Sequence, residues 1–194
     1  MMKPFKIYSP KSFQKLPWRN GLGSTVELLV ETSNNHETFS WRLSIASVVN
    51  DGPFSDFSGY DRTLLLLEGA GITLNKPNGI FKVLNSLLDC AHFKGEDLID
   101  ANLHDGPIKD FNVMTLRSVC TSSVTVINET NESLLYINAD KLLVYSIKPI
   151  NIQIGLEASI RLEANHLLQF NHYINNTMII NNTQAIVIQI NYNK

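Results

Sequence analysis

Over most of its length the chain alternates apolar and polar side chains with a period of two. Trp41, Leu43, Ile45 and Ser47 fall on one face of an extended segment, and Arg42, Ser44, Ala46 and Val48 on the other. Ile186, Ile188 and Ile190 alternate in the same way with Val187, Gln189 and Asn191. The pattern predicts strands near 4–8, 25–31, 38–48, 62–68, 71–75, 80–84, 97–102, 111–117, 122–127, 133–137, 142–147, 151–154, 158–162, 167–169, 177–180 and 185–192. No segment keeps a helical period for a dozen residues. Asn occurs 21 times, mostly between the apolar runs, as in Asn34-Asn35, Asn75-Lys76-Pro77-Asn78-Gly79 and Asn175-Asn176. Asparagine tolerates left-handed backbone and bonds its own main chain, so these positions read as turns. Many short strands with regular turn signals specify an all-β protein. The 194 residues suffice for one large domain or two small ones at roughly 150 residues each. So many strands exceed one small jelly roll, and two β units sharing a core, with a seam near 118–121, fit better.

Charge is nearly balanced, with Lys+Arg 16 against Asp+Glu 18, and neither sign forms a long run. Such a surface holds neither nucleic acid nor an anionic membrane electrostatically. The longest aliphatic run, Leu64 to Leu67, is far short of the roughly 20 residues a membrane-spanning helix needs. The start, Met1-Met2-Lys3-Pro4-Phe5-Lys6, lacks the apolar segment of a secretory signal, so a cytoplasmic location is expected. Cys90 and Cys120 suit a reducing compartment without deciding on a disulfide.

Candidate chemistry concentrates between residues 17 and 69. Pro17-Trp18-Arg19-Asn20-Gly21-Leu22-Gly23-Ser24-Thr25 sets an aromatic, a cation and an amide beside a flexible loop. It lacks the Lys-Ser/Thr that ends a phosphate loop. The loop either faces a ligand or is a glycine turn anchored by a partly buried Trp18. Three of the chain's five arginines, Arg19, Arg42 and Arg62, lie in this region. Arg42 shares a strand face with Ser44 and Ala46, small side chains that leave room in an interior. A buried guanidinium beside empty space suits a small organic acid, because its planar fork matches a carboxylate. Pairing of Arg42 and Arg62 with Glu27, Asp51, Asp56 or Asp61 is the structural alternative. The five histidines form no His-x-His and no His-Glu-x-x-His, and no Gly-x-Ser-x-Gly is present, so neither a metal site nor a serine nucleophile is indicated. Farther on, Asp110 and Asn112 share one face of a strand that follows Asp105-Gly106-Pro107.

Several of these blocks together resemble the HutD/Ves family. They are Trp18-Arg19-Asn20-Gly21, Thr25-Val26-Glu27, Trp41-Arg42-Leu43-Ser44, Asp51-Gly52-Pro53-Phe54-Ser55, Gly59-Tyr60-Asp61-Arg62, Leu67-Glu68-Gly69 and Asp105-Gly106-Pro107 with Asp110-Phe111-Asn112-Val113-Met114. The likeness implies a cupin-like double-stranded β-helix, a bicupin with an N-terminal barrel over 1–118 and a C-terminal barrel over 119–194. These barrels would share strands and pack as one unit. The family is linked to histidine utilisation, with a proposed role in binding a pathway acid such as N-formylglutamate to limit flux.

Metal-binding cupins carry two His and then a Glu seven residues before a turn Gly; counting back from Gly69 lands on Arg62. The upstream His positions fall near Asp56 and Ser58, or Ser55 and Phe57, and a second-motif His near Lys109 or Asp110. A cation at the Glu position would repel a divalent metal and attract an anion. The resulting expectation is a non-enzymatic cupin, without metal or other cofactor, whose partner is a small organic acid. Arg62 and Arg42 would hold the carboxylate, Ser44 would leave it room, Asn112 would add a polar contact, and Trp18 and Asn20 would cover the mouth. The alternatives are a metal-independent isomerase, epimerase or hydrolase, and an interaction protein that offers a surface for a homodimer.

Overall fold

The computed structural model describes residues 4–18, 23–32, 38–129, 132–157, 159–170, 172–181 and 183–193. In chain order its strands are β1 (Phe5–Tyr8), β2 (Gln14–Pro17), β3 (Gly23–Thr32), β4 (Phe39–Val48), β5 (Gly52–Pro53), β6 (Tyr60–Glu68) and β7 (Ile72–Lys76). They continue as β8 (Gly79–Leu84), β9 (Cys90–Lys94), β10 (Asp100–Leu103), β11 (Ile108–Leu116), β12 (Cys120–Glu129) and β13 (Ser133–Ala139). The last six are β14 (Lys141–Ser146), β15 (Ile150–Ile154), β16 (Ile160–Leu162), β17 (Leu167–Phe170), β18 (Ile174–Asn181) and β19 (Thr183–Tyr192). One short 3-10 turn, Pro10–Ser12, accompanies them. The protein is all-β, as the alternation predicts, and no helix among the described residues is long and apolar enough to cross a membrane.

Two compact units divide the chain: residues 13–120, and residues 1–12 together with 121–194. Residues 1–12, placed by the sequence reading with the N-terminal half, thus go with the C-terminal one. The cause is β1, whose Phe5 to Tyr8 pair antiparallel with Phe170 to Leu167 of β17. Alternation reveals a strand but not the sheet it joins.

Each unit has two sheets. In the 13–120 unit a six-stranded sheet runs β2-β3-β4-β11-β6-β9 and a four-stranded one runs β5-β10-β7-β8. In the other unit the orders are β1-β17-β14-β19-β12 and β13-β18-β15-β16. Three strands escape the sequence pattern. Strand β2 is exposed along its whole length and so carries no apolar period, and β5 is two residues inside an Asp-Gly-Pro turn. Strand β9 is short, although Ala91 and Phe93 point inward between Cys90, His92 and Lys94. Asn175 and Asn176, read as a turn, instead lie within β18. They pair across to Asn138 and Ile137 on a strand whose outer side is exposed, where asparagine meets no burial cost.

The core of the 13–120 unit gathers Leu64, Leu66, Ile72, Leu74, Leu84, Ala91, Ile99 and Ile108, all buried. Strands β4, β11 and β6 lie side by side in the larger sheet, and their antiparallel registers put Arg42 opposite Met114 and Met114 opposite Arg62. The next rows are Ser44, Asn112, Leu64 and then Ala46, Asp110, Leu66. Because side chains alternate across a strand, these three rows share one face.

Candidate functional site

That face lines a cavity of about 620 Å³, whose wall includes Trp18, Thr25, Arg42, Ser44, Ala46, Phe54, Phe57, Arg62, Asp110, Asn112 and Met114. Five sequence-predicted residues, Arg62, Arg42, Trp18, Ser44 and Asn112, come together here, from β6, β4, the end of the β2 hairpin arm and β11. The sixth, Asn20, lies outside the described residues.

Arg62 is the buried cation of the site, with 8% of its surface exposed. Its Nη2 donates to Asn112 Oδ1 at 3.0 Å, while its Nε finds no acceptor among the described residues. Three rings surround the guanidinium, Phe93 at 5.0 Å, Phe54 at 5.3 Å and Phe57 at 5.4 Å from its carbon to their centroids. Ring faces attract a desolvated cation and hold its plane. The rings are themselves positioned by backbone: Phe54 N donates to Ile99 O at 2.8 Å and Phe57 N to Gly95 O at 3.0 Å. A side chain at Gly95 would collide with the Phe57 carbonyl, so glycine there permits the close approach that places Phe57.

Of the acids considered as partners, none takes Arg62. Asp61 pairs with Arg117 at 2.8 Å, Asp51 accepts from Leu103 N and Asn102 Nδ2, and Asp56 accepts from Ser58. The carboxyl that faces Arg62 is Asp110, 1% exposed, whose Oδ1 accepts from Asn112 Nδ2. Asn112 thus links the two, amide oxygen toward the cation and amide nitrogen toward the acid. Burial lowers Arg62 to about 10, with Asp110 opposing and Arg42 adding to the shift. Burial also raises Asp110 to about 7 against the pull of Arg62 and the Asn112 bond. In both, desolvation outweighs the attraction.

Arg42 behaves differently. Its Nε lies 2.9 Å from Glu27 Oε2 on β3, an ion pair by distance without hydrogen-bond angles. The structural alternative therefore describes Arg42, which nevertheless lines the cavity. Two bulges flank this region, after Glu27 in the β3–β4 pair and between Lys109 and Asp110 in the β11–β6 pair. The second leaves Lys109 paired with Glu68 while Asp110 turns to the cavity.

At the mouth, Trp18 Nε1 donates to Thr25 Oγ1 at 2.8 Å, and Trp18 N to Gly23 O at 3.0 Å. The indole packs so closely on Gly23 that any side chain there would overlap it. Sequence reasoning missed Asp110 as a site residue and the three phenylalanines as its frame. The signals were present: Asp110 shares the Asn112 face, and Phe54 and Phe57 sit in the block that ends at Arg62.

The cavity does not suit a divalent metal of the kind cupins commonly bind. Arg62 and Arg42 project into it, Asp110 is its one deeply buried carboxyl, and no group of three His, Cys, Asp or Glu fit to hold a metal occurs among the described residues.

Comparison with known proteins bears on the family and the fold. The HutD family model matches residues 10–188. Protein Ves of Escherichia fergusonii is 36% identical over 121 residues, 60% of this chain and 62% of that protein. An uncharacterized 21.2 kDa protein from the region 3′ of hutC in Pseudomonas putida is 33% identical over 113 residues, 58% of this chain and 59% of that one. The chain thus spans about six tenths of the length of the curated relatives it matches. Among solved structures, HutD from Pseudomonas fluorescens SBW25, in a formate condition, superposes with a TM-score of 0.85 at 24% identity, over 98% of this chain and 100% of that one. The formate complex of oxalate decarboxylase from Lactobacillus farciminis reaches 0.61 at 8% identity, over 96% and 85%, and supports a cupin-type β fold.

Proposed function

The chain belongs to the HutD family, and we propose that it binds a small organic carboxylate in the cavity around Arg62 as a non-enzymatic regulator in histidine utilisation. On this reading each unit is a cupin barrel, the 13–120 barrel carries the ligand, and the protein acts in the cytoplasm. One observation carries it: a guanidinium with 8% exposure lines a cavity and hydrogen-bonds an amide, leaving Nε without an acceptor among the described residues. A buried cation without a direct carboxylate partner is costly unless an anion completes it. The hutC-region relative, the HutD name of a close structural neighbour and the formate named with two of these structures support the class of ligand and the pathway. Asn112 and Ser44 would offer polar contacts, Arg42 a second positive centre, and Trp18 a cover for the mouth.

Calorimetry with formate, glutamate, N-formylglutamate and urocanate tests the proposal. Charge-assisted bonds of roughly 1.5–3 kcal/mol each predict that Arg62→Met lowers affinity at least about ten- to a hundred-fold. Arg62→Lys, which keeps charge and loses the fork, should fall between. Binding of every acid unchanged by Arg62→Met would overturn the reading. A second reading, a metal-independent isomerase, epimerase or hydrolase, draws on Asp110, a buried acid whose raised pKa suits proton transfer. Conversion of a bound acid, lost in Asp110→Asn, would favour it.

A further inference from the structure

Among the described residues the buried part of the cavity wall carries two guanidinium groups, Arg42 and Arg62, and one carboxyl, Asp110; Glu27 balances Arg42 from outside the wall, and Asp51 lines only the exposed rim. Glu27 is committed to Arg42 at 2.9 Å. Asp110 has no such commitment; it reaches Arg62 through the Asn112 amide. An anion drawn to Arg62 therefore enters a buried space that is already neutral and faces the Asp110 carboxylate across the same cavity. Two like charges in a desolvated site cannot both stay ionised at low cost, and the easier remedy is a proton on one of them.

The geometry points to a site that takes up a monocarboxylate together with one solvent proton, which Asp110 accepts. This rests on the carboxylate-binding reading and adds its regulation. Protonation leaves Arg62 free of its opposing acid, restores neutrality once the ligand is in, and turns Asp110 from an acceptor into a donor beside the ligand. The groups that bear on Asp110 are few. Arg62 faces it from β6, Arg42 of β4 lines the same cavity in its ion pair with Glu27 of β3, and Asp51 stands at the exposed rim. Lys109, its neighbour on β11, is paired with Glu68 on the other face. Strand β9 brings only Ala91 and Phe93 inward. With Asp110 raised to about 7 before any ligand arrives, the exchange falls near neutral pH, so binding would be coupled to pH where cells work. Below that range the acid already holds its proton and ligand binds without uptake. Above it each ligand brings a proton, and affinity falls about tenfold per pH unit.

Titration calorimetry of the wild-type chain with formate and acetate, repeated in buffers of different ionisation enthalpy, counts the protons directly. These ligands stay ionised well above about pH 5, so any uptake belongs to the protein. The expected result is close to one proton per ligand at about pH 8.5 and none at about pH 5.5. In Asp110→Asn the uptake vanishes, the affinity becomes independent of pH, and at the alkaline end it exceeds that of wild type. If that variant does not fold, infrared difference spectra of the wild type with isotopically labelled aspartate should show a protonated carboxyl appearing as ligand binds. Carboxylate binding with no proton uptake across this range, or full uptake in Asp110→Asn, would overturn this inference and leave the binding proposal standing. No binding of either acid at any pH would overturn both.

Discussion

The two units share one plan, a larger sheet with a four-stranded companion, and fill it in opposite ways. In residues 4–12 with 121–193 the core is continuous hydrocarbon: Ile127, Ile137, Leu142, Val144, Ile150, Ile152, Leu162, Leu168, Phe170, Met178, Ile180 and Val187 are all buried together. In residues 13–120 a comparable cluster occupies only part of the interior. Beside it the same sheet turns Arg42, Ser44, Asp110, Asn112 and Arg62 inward and leaves a cavity of about 620 Å³. Close packing stabilises and polar burial costs stability. The difference therefore separates an interior closed by hydrocarbon packing from one that carries the cost of buried polar groups around a cavity.

The largest effect should come from breaking the filled core. Leu168 is fully buried on β17, and Leu168→Ala should cost about 2–5 kcal/mol in urea unfolding, since a close-packed site relaxes little around the missing atoms. A loss below about 1 kcal/mol would mean that this core is looser than it looks.

Arg62→Met should do the reverse. It removes a buried charge and puts a side chain of similar length among Phe54, Phe57 and Phe93, so stability at about pH 6 should stay within about 1 kcal/mol of wild type or rise. The orphaned Asp110 escapes its own penalty by holding a proton there. Carboxylate affinity should nonetheless drop at least about ten- to a hundred-fold. A variant that loses stability and keeps its affinity would make Arg62 a structural residue and erase the contrast between the units.

How much of this contrast is legible in the sequence depends on whether the signal is local. Alternation across Arg42, Ser44 and Ala46 shows a small, polar inward face directly, and the spacing from Gly69 singles out Arg62. Neither shows that Arg62 meets Asn112, fifty residues away, because that contact is created by the β6–β11 register, which only the assembled sheet fixes. Alternation puts Asp110 on the Asn112 face, but that it is buried facing Arg62 is hidden for the same reason, since it depends on the registers of β4, β11 and β6. The home of β1 is illegible for the same cause, since its partner β17 lies at the far end of the chain.

Stability against pH offers a finer probe of the polar interior. Asp110 holds its proton more tightly in the fold than in the unfolded chain, where a carboxyl titrates near 3.8. Its contribution is thus complete below that value and is lost as pH rises through about 7. Glu96, held down to about 2 by Arg117, works the opposite way, adding stability above the ordinary carboxylate range and losing it in acid. Between about pH 5 and 8 the wild type should therefore weaken relative to Asp110→Asn, and denaturation midpoints of the two across this window should diverge. Parallel curves would show that the acid is ionised in the fold at no cost.

The smallest expected change is the most specific to the charge balance of the cavity. Glu27→Gln keeps the shape of the β3 side chain and removes the carboxylate that occupies Arg42 at 2.9 Å. Both partners are only partly buried, with side-chain exposures of 17% and 20%, so solvent screens much of the pair and stability should shift little. The cavity, however, gains a net positive charge. At an effective dielectric constant near 20 the added attraction should tighten carboxylate binding by about three- to ten-fold, and high salt should remove part of that gain. If proton uptake is what balances the entering anion, the gain should be accompanied by fewer protons taken up per ligand at neutral pH, because Arg42 then meets part of the charge that Asp110 meets in the wild type. Calorimetry of Glu27→Gln beside the wild type reads both quantities from one titration, and unchanged affinity would show that Arg42 contributes wall and no field to the site.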